Sequence, residues 1–405
     1  MDARAPDLPI ANQITDTAGT GTAYIARARA LIPVLEAAGP RIDAARELPP
    51  DVLDAMHDDR MFRLLVPRSV GGVELEPAIY VQVVEAIAAG DGSTAWCMNQ
   101  GSGCSMTAAY LQPDVAQHVF GGPRDVLAWG QARGRARAVK EAGGWRVTGT
   151  WLFASGSRHA SWLGGHCPTF EPDGTQHHNP DGTPVERTML FPRAAAKIED
   201  VWQVIGLRGT GSDTYSVDDI FVGDEYSVTR DPDEERHEPG LLYRFTTTNI
   251  YASGFGAVGL GVARGMLDAF VRLAAGKMPH MSQAMRDSAV VQALIGRSDA
   301  RLKAARALLL QVLSDTQDAV RERGWMTLDE RMAIRQASTF AINEARDVVN
   351  AIWPEAGATA IFDTGPFERR FRDMNTVSQQ MQGRASHLET VGQHLLGMRT
   401  SLRWL

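Results

Sequence analysis

The sequence predicts an α+β protein made of three consecutive parts: an all-helical N-terminal domain over residues 1–125, a central antiparallel β domain over 126–230 and a C-terminal four-helix bundle over 231–405. Three observations lead there. Apolar residues recur at helical spacing early in the chain, the texture turns to short alternating or β-branched runs from Val126, and long helical stripes return after the charged linker Asp231 to Glu238. At 405 residues the chain is also too long for one comfortable core.

Residues 1–22, rich in Ala, Thr, Gly and Pro without sustained periodicity, read as a loose arm. Helices are expected over 23–38, 50–60, 76–89 and 93–111, broken at Gly71-Gly72 and at Gly90-Asp91-Gly92. The β segment is punctuated by Gly143-Gly144, Pro172-Asp173-Gly174, Asn179-Pro180-Asp181-Gly182 and Gly209-Thr210-Gly211, the spacing of turns between antiparallel strands. Val262, Met266, Ala269, Phe270 and Leu273 then mark one face of a helix over 261–275. Leu302, Ala305, Leu309 and Val312 mark a second helix over 287–323. Thr327 and Glu330 have the spacing of a capping box before a third, whose stripe runs from Ile334 to Ile352. A final helix over 386–399 completes the expected bundle.

Composition narrows the function. With 41 basic and 48 acidic residues the net charge is −7, which argues against nucleic acid as a partner. No uninterrupted apolar run reaches the length of about 20 residues that spans a bilayer, and the first residues lack a secretory layout, so a cytoplasmic protein is expected. Cys97, Cys104 and Cys167 are odd in number and without metal-ligand spacing; they read as free thiols, and no metal site is expected.

The stretch Gly144 to Trp162 carries the most chemistry. Val147, Gly149, Trp151 and Phe153 fall on one side of a strand, which gives way to Ser155-Gly156-Ser157. There the backbone turns sharply, hydroxyl and N–H donors are expected to be free, and Gly156 lets the chain approach a ligand closely. An apolar wall of Trp151 and Phe153 beside such donors suits a flat ring such as that of a flavin.

Together with Trp202 to Asp213 (Trp-Gln-Val-Ile-Gly-Leu-Arg-Gly-Thr-Gly-Ser-Asp), this stretch resembles the middle domain of the acyl-CoA dehydrogenase superfamily. The run Trp151 to Trp162, with its Ser-Gly and His-Ala-Ser-Trp pattern, is similar to the group D two-component monooxygenases built on that fold. The resemblance spans residues 23–400. It implies a homotetramer whose flavin lies between the β domain and the bundle. It also implies reduced FMN or FAD delivered by a separate flavin reductase, and O₂ activated as a C4a-(hydro)peroxyflavin that hydroxylates a small aromatic or polycyclic substrate. No Gly-x-Gly-x-x-Gly fingerprint follows a strand, so NAD(P)H is not expected to bind this chain directly.

The same resemblance assigns residues. Ser155 matches the serine beside flavin and peroxide and is the first catalytic candidate. Trp129, Gln131, Trp151, Phe153, Gly156 and Lys277 are cofactor candidates; Lys277 stands where dehydrogenases carry an Arg for the adenosine diphosphate half of FAD. In the usual dehydrogenase a Glu-Gly-Thr follows an Arg-Asp pair. Here Arg372-Asp373 is followed by Gln380, Met381 and Gln382, with no carboxylate at that place. An amide cannot take up a proton usefully at neutral pH. An FAD-dependent acyl-CoA dehydrogenase therefore stands as the second reading, with Glu389 its remaining base, and a non-catalytic superfamily subunit as the third. Group D hydroxylases often carry two histidines at the places of Cys104 and Gln380. Their loss makes Cys104 and Trp96 substrate-pocket candidates, Gln380 a catalytic candidate and His387 the imidazole expected to substitute.

Overall fold

The computed structural model describes residues 17–134, 136–230, 232–280 and 283–400. Residues 1–16 of the expected arm and Asp231 of the linker lie outside the described residues. The rest of the arm is helix: α1 runs Thr17–Ala45, longer than expected at both ends. It is followed by α2 (Pro50–Asp58), α3 (Pro77–Gly90), α4 (Gly92–Ser105) and α5 (Pro113–Phe120). Asp91 separates α3 from α4 and caps the latter, its carboxylate accepting the Thr94 N–H at 2.8 Å.

The strands are β1 (Leu127–Trp129), β2 (Gln131–Ala132), β3 (Arg137–Glu141), β4 (Gly144–Ala154), β5 (Trp162–Phe170), β6 (Glu186–Pro192), β7 (Lys197–Glu199), β8 (Asp213–Gly223) and β9 (Ser227–Val228). Among the described residues they form one sheet in the order β7-β8-β4-β3-β5-β6-β9, with β1 on β5 and β2 on β4. The sheet is mixed rather than antiparallel, because β5 runs parallel to both β1 and β3. After the tight β3–β4 hairpin, residues 155–161 reverse the chain and carry it across β3. The turn that holds the candidate site thus also causes the parallel pairing.

The C-terminal part comprises α6 (Thr247–Gly276), α7 (Ala289–Arg323), α8 (Leu328–Ala356), α9 (Phe367–Val377) and α10 (Ser386–Leu395). The capping box forms: the Thr327 hydroxyl accepts the Glu330 N–H, and the Glu330 carboxylate accepts the Thr327 N–H at 2.7 Å. The fourth bundle member is α9, packed on α6 and α8, whereas α10 packs on the outside of α8. By length and composition α6 could cross a bilayer, but its apolar surface is consumed inside the protein against α3, α4 and α8.

One continuous apolar core runs through both helical parts, joining Leu35 and Tyr80 to Phe270 and Ile352. The sheet keeps a core of its own around Trp151, Tyr215 and Phe191. Ion pairs between the helical parts follow the shared core, as in Arg370–Glu36 at 2.7 Å and Arg306–Glu85 at 2.7 Å.

Candidate active site

The site is assembled where β4 ends. Between Trp151 and Ala154 the pairing with β8 slips by one residue, a bulge that inserts an extra residue on the β4 side. Phe153 absorbs it with φ of 60°, a left-handed conformation that a bulky side chain rarely adopts. The consequence corrects the expected wall. Trp151 is fully buried in the sheet core, stacked on Tyr215 at 5.3 Å, its indole N–H on the His166 carbonyl at 3.2 Å. Phe153 faces the other way, is 58% exposed and meets the Trp202 ring edge-on at 6.1 Å. Phe153, Trp202 and the exposed Val201 and Ile205 make an uncovered apolar shelf beside the turn.

Ser155 points inward. Its hydroxyl oxygen accepts from the Trp96 indole N–H at 3.0 Å and lies 2.6 Å from the Ser212 hydroxyl. Ser212 lies 2.7 Å from the Thr210 hydroxyl, which donates to the Leu207 carbonyl at 2.8 Å. The expected free N–H donors are not free. The Gly156 N–H is taken by the Thr210 carbonyl, that of Ser155 by Phe153 and that of Ser157 by Ala154. Gly156 has φ of 80°, so glycine is needed to make the turn, and a Cβ there would press on the His159 ring at 3.2 Å. Burial pushes His159 down to about 3, so it stays neutral and braces the turn against Phe62.

The loop Gly206–Ser212 is threaded between helices. A Cβ on Gly209 would lie 2.1 Å from Ile42 of α1, and one on Gly206 would lie 2.2 Å from the Arg372 carbonyl of α9. The Leu207 N–H donates to the Asp373 carboxylate at 2.6 Å. Burial first, and then the neighbouring Asp91, push that carboxyl up to about 7. Arg158 closes the frame by pairing with the buried Asp213 at 2.7 Å.

Trp96 brings α4 to the site and packs on Phe255 of α6 at 4.2 Å. One helical region further on, the Cys104 thiol lies 3.0 Å from the Tyr251 hydroxyl, which donates to the Gln100 carbonyl at 3.2 Å. Gln100 in turn donates to the Trp129 carbonyl at 3.2 Å, and the Trp129 ring is 6.3 Å from that of Tyr251. Burial pushes the Cys104 thiol up to about 12 and the Tyr251 hydroxyl well above its ordinary value, so neither ionises near neutrality. Gln131 is exposed on β2, opposite Leu152 and next to Phe153.

Other candidates lie elsewhere. Lys277 donates to the Ala356 carbonyl at 2.8 Å and the Thr359 hydroxyl at 2.9 Å, capping the end of α8 rather than presenting its charge to a phosphate. His387 is buried and donates from Nε2 to the Met381 carbonyl at 2.9 Å; burial and the Arg335 charge lower its basicity. Gln380 accepts the Gln382 N–H at 2.7 Å, and Gln382 accepts from the buried Arg335. Glu389 is exposed on α10. Thr210, Ser212, Tyr251 and Phe255 were not singled out in sequence. The Gly-Thr-Gly-Ser run announced a turn, but which hydroxyl it presents to Ser155 depends on long-range packing.

A flavin fits these residues: exposed aromatic and aliphatic side chains lie next to a buried hydroxyl at a strained turn. Comparisons with known proteins agree. Residues 30–118 match the family model "acyl-CoA dehydrogenase, N-terminal domain", and residues 253–382 match "acyl-CoA dehydrogenase, C-terminal domain". An indole-3-acetate monooxygenase of Pseudomonas putida is 29% identical over 83% of this chain and 84% of its own. The flavin-dependent monooxygenase oxygenase subunit HsaA of Rhodococcus jostii (strain RHA1) is 27% identical over 86% of this chain and 91% of its own. In structure, XiaF from a Streptomyces species in complex with FADH2 and glycerol superposes with a TM-score of 0.87 at 22% identity, covering 96% of this chain and 99% of that one. Fold and site thus define a flavoprotein of mixed α and β architecture. The chain belongs to the acyl-CoA dehydrogenase superfamily, and the relatives from Pseudomonas putida and Rhodococcus jostii are monooxygenases.

Proposed function

We propose that this chain is the oxygenase component of a two-component flavin-dependent monooxygenase, which uses reduced FMN or FAD and O₂ to hydroxylate a small aromatic or polycyclic substrate. The observation that carries the reading is the composition of the turn after Asp373. Where a dehydrogenase needs a carboxylate to take the α-proton of a thioester, this chain places Gln380, Met381 and Gln382, tied to one another, to His387 and to Arg335. Nothing there can act as that base, and Glu389 faces solvent.

Bound reduced flavin would supply the oxygen chemistry. The chain's own residues do the rest: Phe153 and Trp202 offer an apolar surface to the ring, Ser155 a hydrogen-bonding oxygen, and Trp96, Phe255, Tyr251 and Trp129 an aromatic wall that excludes water. A separate reductase as the source of reduced flavin, assembly as a homotetramer and a cytoplasmic location belong to this proposal; the family resemblance supports the first two.

The test is direct. Purified protein mixed anaerobically with dithionite-reduced FMN or FAD and then exposed to air in the presence of indole or a phenol should yield a hydroxylated product. Conversion of an acyl-CoA to its enoyl form, with no hydroxylated product from any aromatic, would refute it.

A further inference from the structure

We propose that Thr210 and Ser212 act as positioning residues that fix the direction of the Ser155 proton, making Ser155 a hydrogen-bond acceptor toward the flavin and so favouring the reduced cofactor. The inference rests on the reading above that flavin binds against Ser155.

Counting hydrogens gives the direction. The Leu207 carbonyl can only accept, and the Thr210 hydroxyl donates to it at 2.8 Å beside the Trp202 indole N–H at 3.0 Å and the Thr210 N–H at 3.2 Å, so the single Thr210 hydroxyl proton is directed there. Thr210 therefore accepts from Ser212, whose own proton is thereby spent, and Ser212 must accept from Ser155. The Trp96 N–H can only donate, so it fills one lone pair of Ser155. All three hydroxyls are buried, so water does not compete for these bonds. What remains on Ser155 is one lone pair and no proton. The central-ring nitrogen of a flavin carries hydrogen when reduced and a lone pair when oxidised. The relay as built satisfies the first and opposes the second; binding oxidised flavin through Ser155 would require all three hydroxyls to turn.

The anchor is held by packing, not by chance. Leu207 is fixed through its N–H to Asp373 of α9, and Gly209 is pressed against Ile42, so the carbonyl that sets the relay cannot drift.

The experiment measures dissociation constants for FMN and FAD, oxidised and dithionite-reduced, by anaerobic fluorescence titration on wild type, Thr210→Val, Thr210→Ser and Ser212→Ala. Wild type should bind the reduced form more tightly. Thr210→Val frees the Ser212 proton, and Ser212→Ala frees that of Ser155; each should shrink the preference about tenfold by tightening oxidised and weakening reduced binding. Thr210→Ser keeps the hydroxyl and should keep the preference. If both redox states weaken equally in Thr210→Val and Ser212→Ala, the roles are structural and the inference fails while the flavin reading stands. A wild type that binds neither form overturns both.

Discussion

At the scale of single residues, strain and polarity at the end of β4 make separable predictions. Phe153→Gly removes a bulky side chain from a left-handed conformation that costs about 1 kcal/mol or more. Thermal unfolding should therefore show unchanged or higher stability, while titration shows weaker flavin binding because the shelf is lost. Ser155→Ala leaves the buried Trp96 N–H without its acceptor and should lower stability by about 1–3 kcal/mol. In the reaction it should divert consumed oxygen from product to hydrogen peroxide, measured as the ratio of peroxide to hydroxylated substrate. His387→Ala breaks a buried bond to Met381, so the melting temperature should fall while the pH dependence of hydroxylation stays that of wild type; a displaced pH profile would return the imidazole to the chemistry. The turn at Ser155 was legible in sequence because its neighbours follow a strand pattern. The opposite orientations of Trp151 and Phe153 were not, because alternation assumes an unbroken ladder and a single inserted residue inverts every side chain beyond it. Spacing places Lys277 as a cofactor candidate; within the chain its charge is drawn to the carbonyl end of α8.

Among the elements, the long helices of the bundle were readable because their apolar stripes repeat for many turns. α9 was not, since Glu368-Arg369-Arg370 and Arg372-Asp373 hide its short apolar face of Phe367, Met374 and Val377. Those charges are what fix α9 in place: Arg372 reaches Asp43 of α1 and Glu368, and Asp373 holds Leu207. The loop Gly206–Ser212 depends on that packing in turn. Gly209→Ala would drive a methyl group to within 2.1 Å of Ile42, so chemical denaturation should report a loss of about 1–3 kcal/mol, with weaker flavin binding as the loop shifts.

Across the whole molecule, the two helical parts share one core, which the sheet joins through Leu127, Trp129 and Leu190, and Asp373 bonds across to the loop that leads into β8. Its carboxyl is raised to about 7 in the fold against an ordinary value near 3.8, chiefly by burial and then by Asp91. The folded state therefore holds a proton that the unfolded chain has released over that interval. The stability this contributes is full below pH 3.8 and is lost as pH rises through about 7. Asp373→Asn keeps an acceptor for Leu207 and removes the ionisation, so its unfolding free energy should fall less than that of wild type between pH 5 and pH 8; parallel curves would show that Asp373 does not titrate there. Sedimentation should report a tetramer for the assembled protein, the assembly state that accompanies the proposed function.

Phe153 and Ile205 lie 58% and 70% exposed on the single chain, on the platform beside the turn. Beneath that platform, Gly206 and Gly209 are wedged too tightly among α1, α4 and α9 for the loop to swing as a gate. Cofactor traffic would then be a matter of docking and departure at a ready-made landing place, its pace set by how firmly each oxidation state is held.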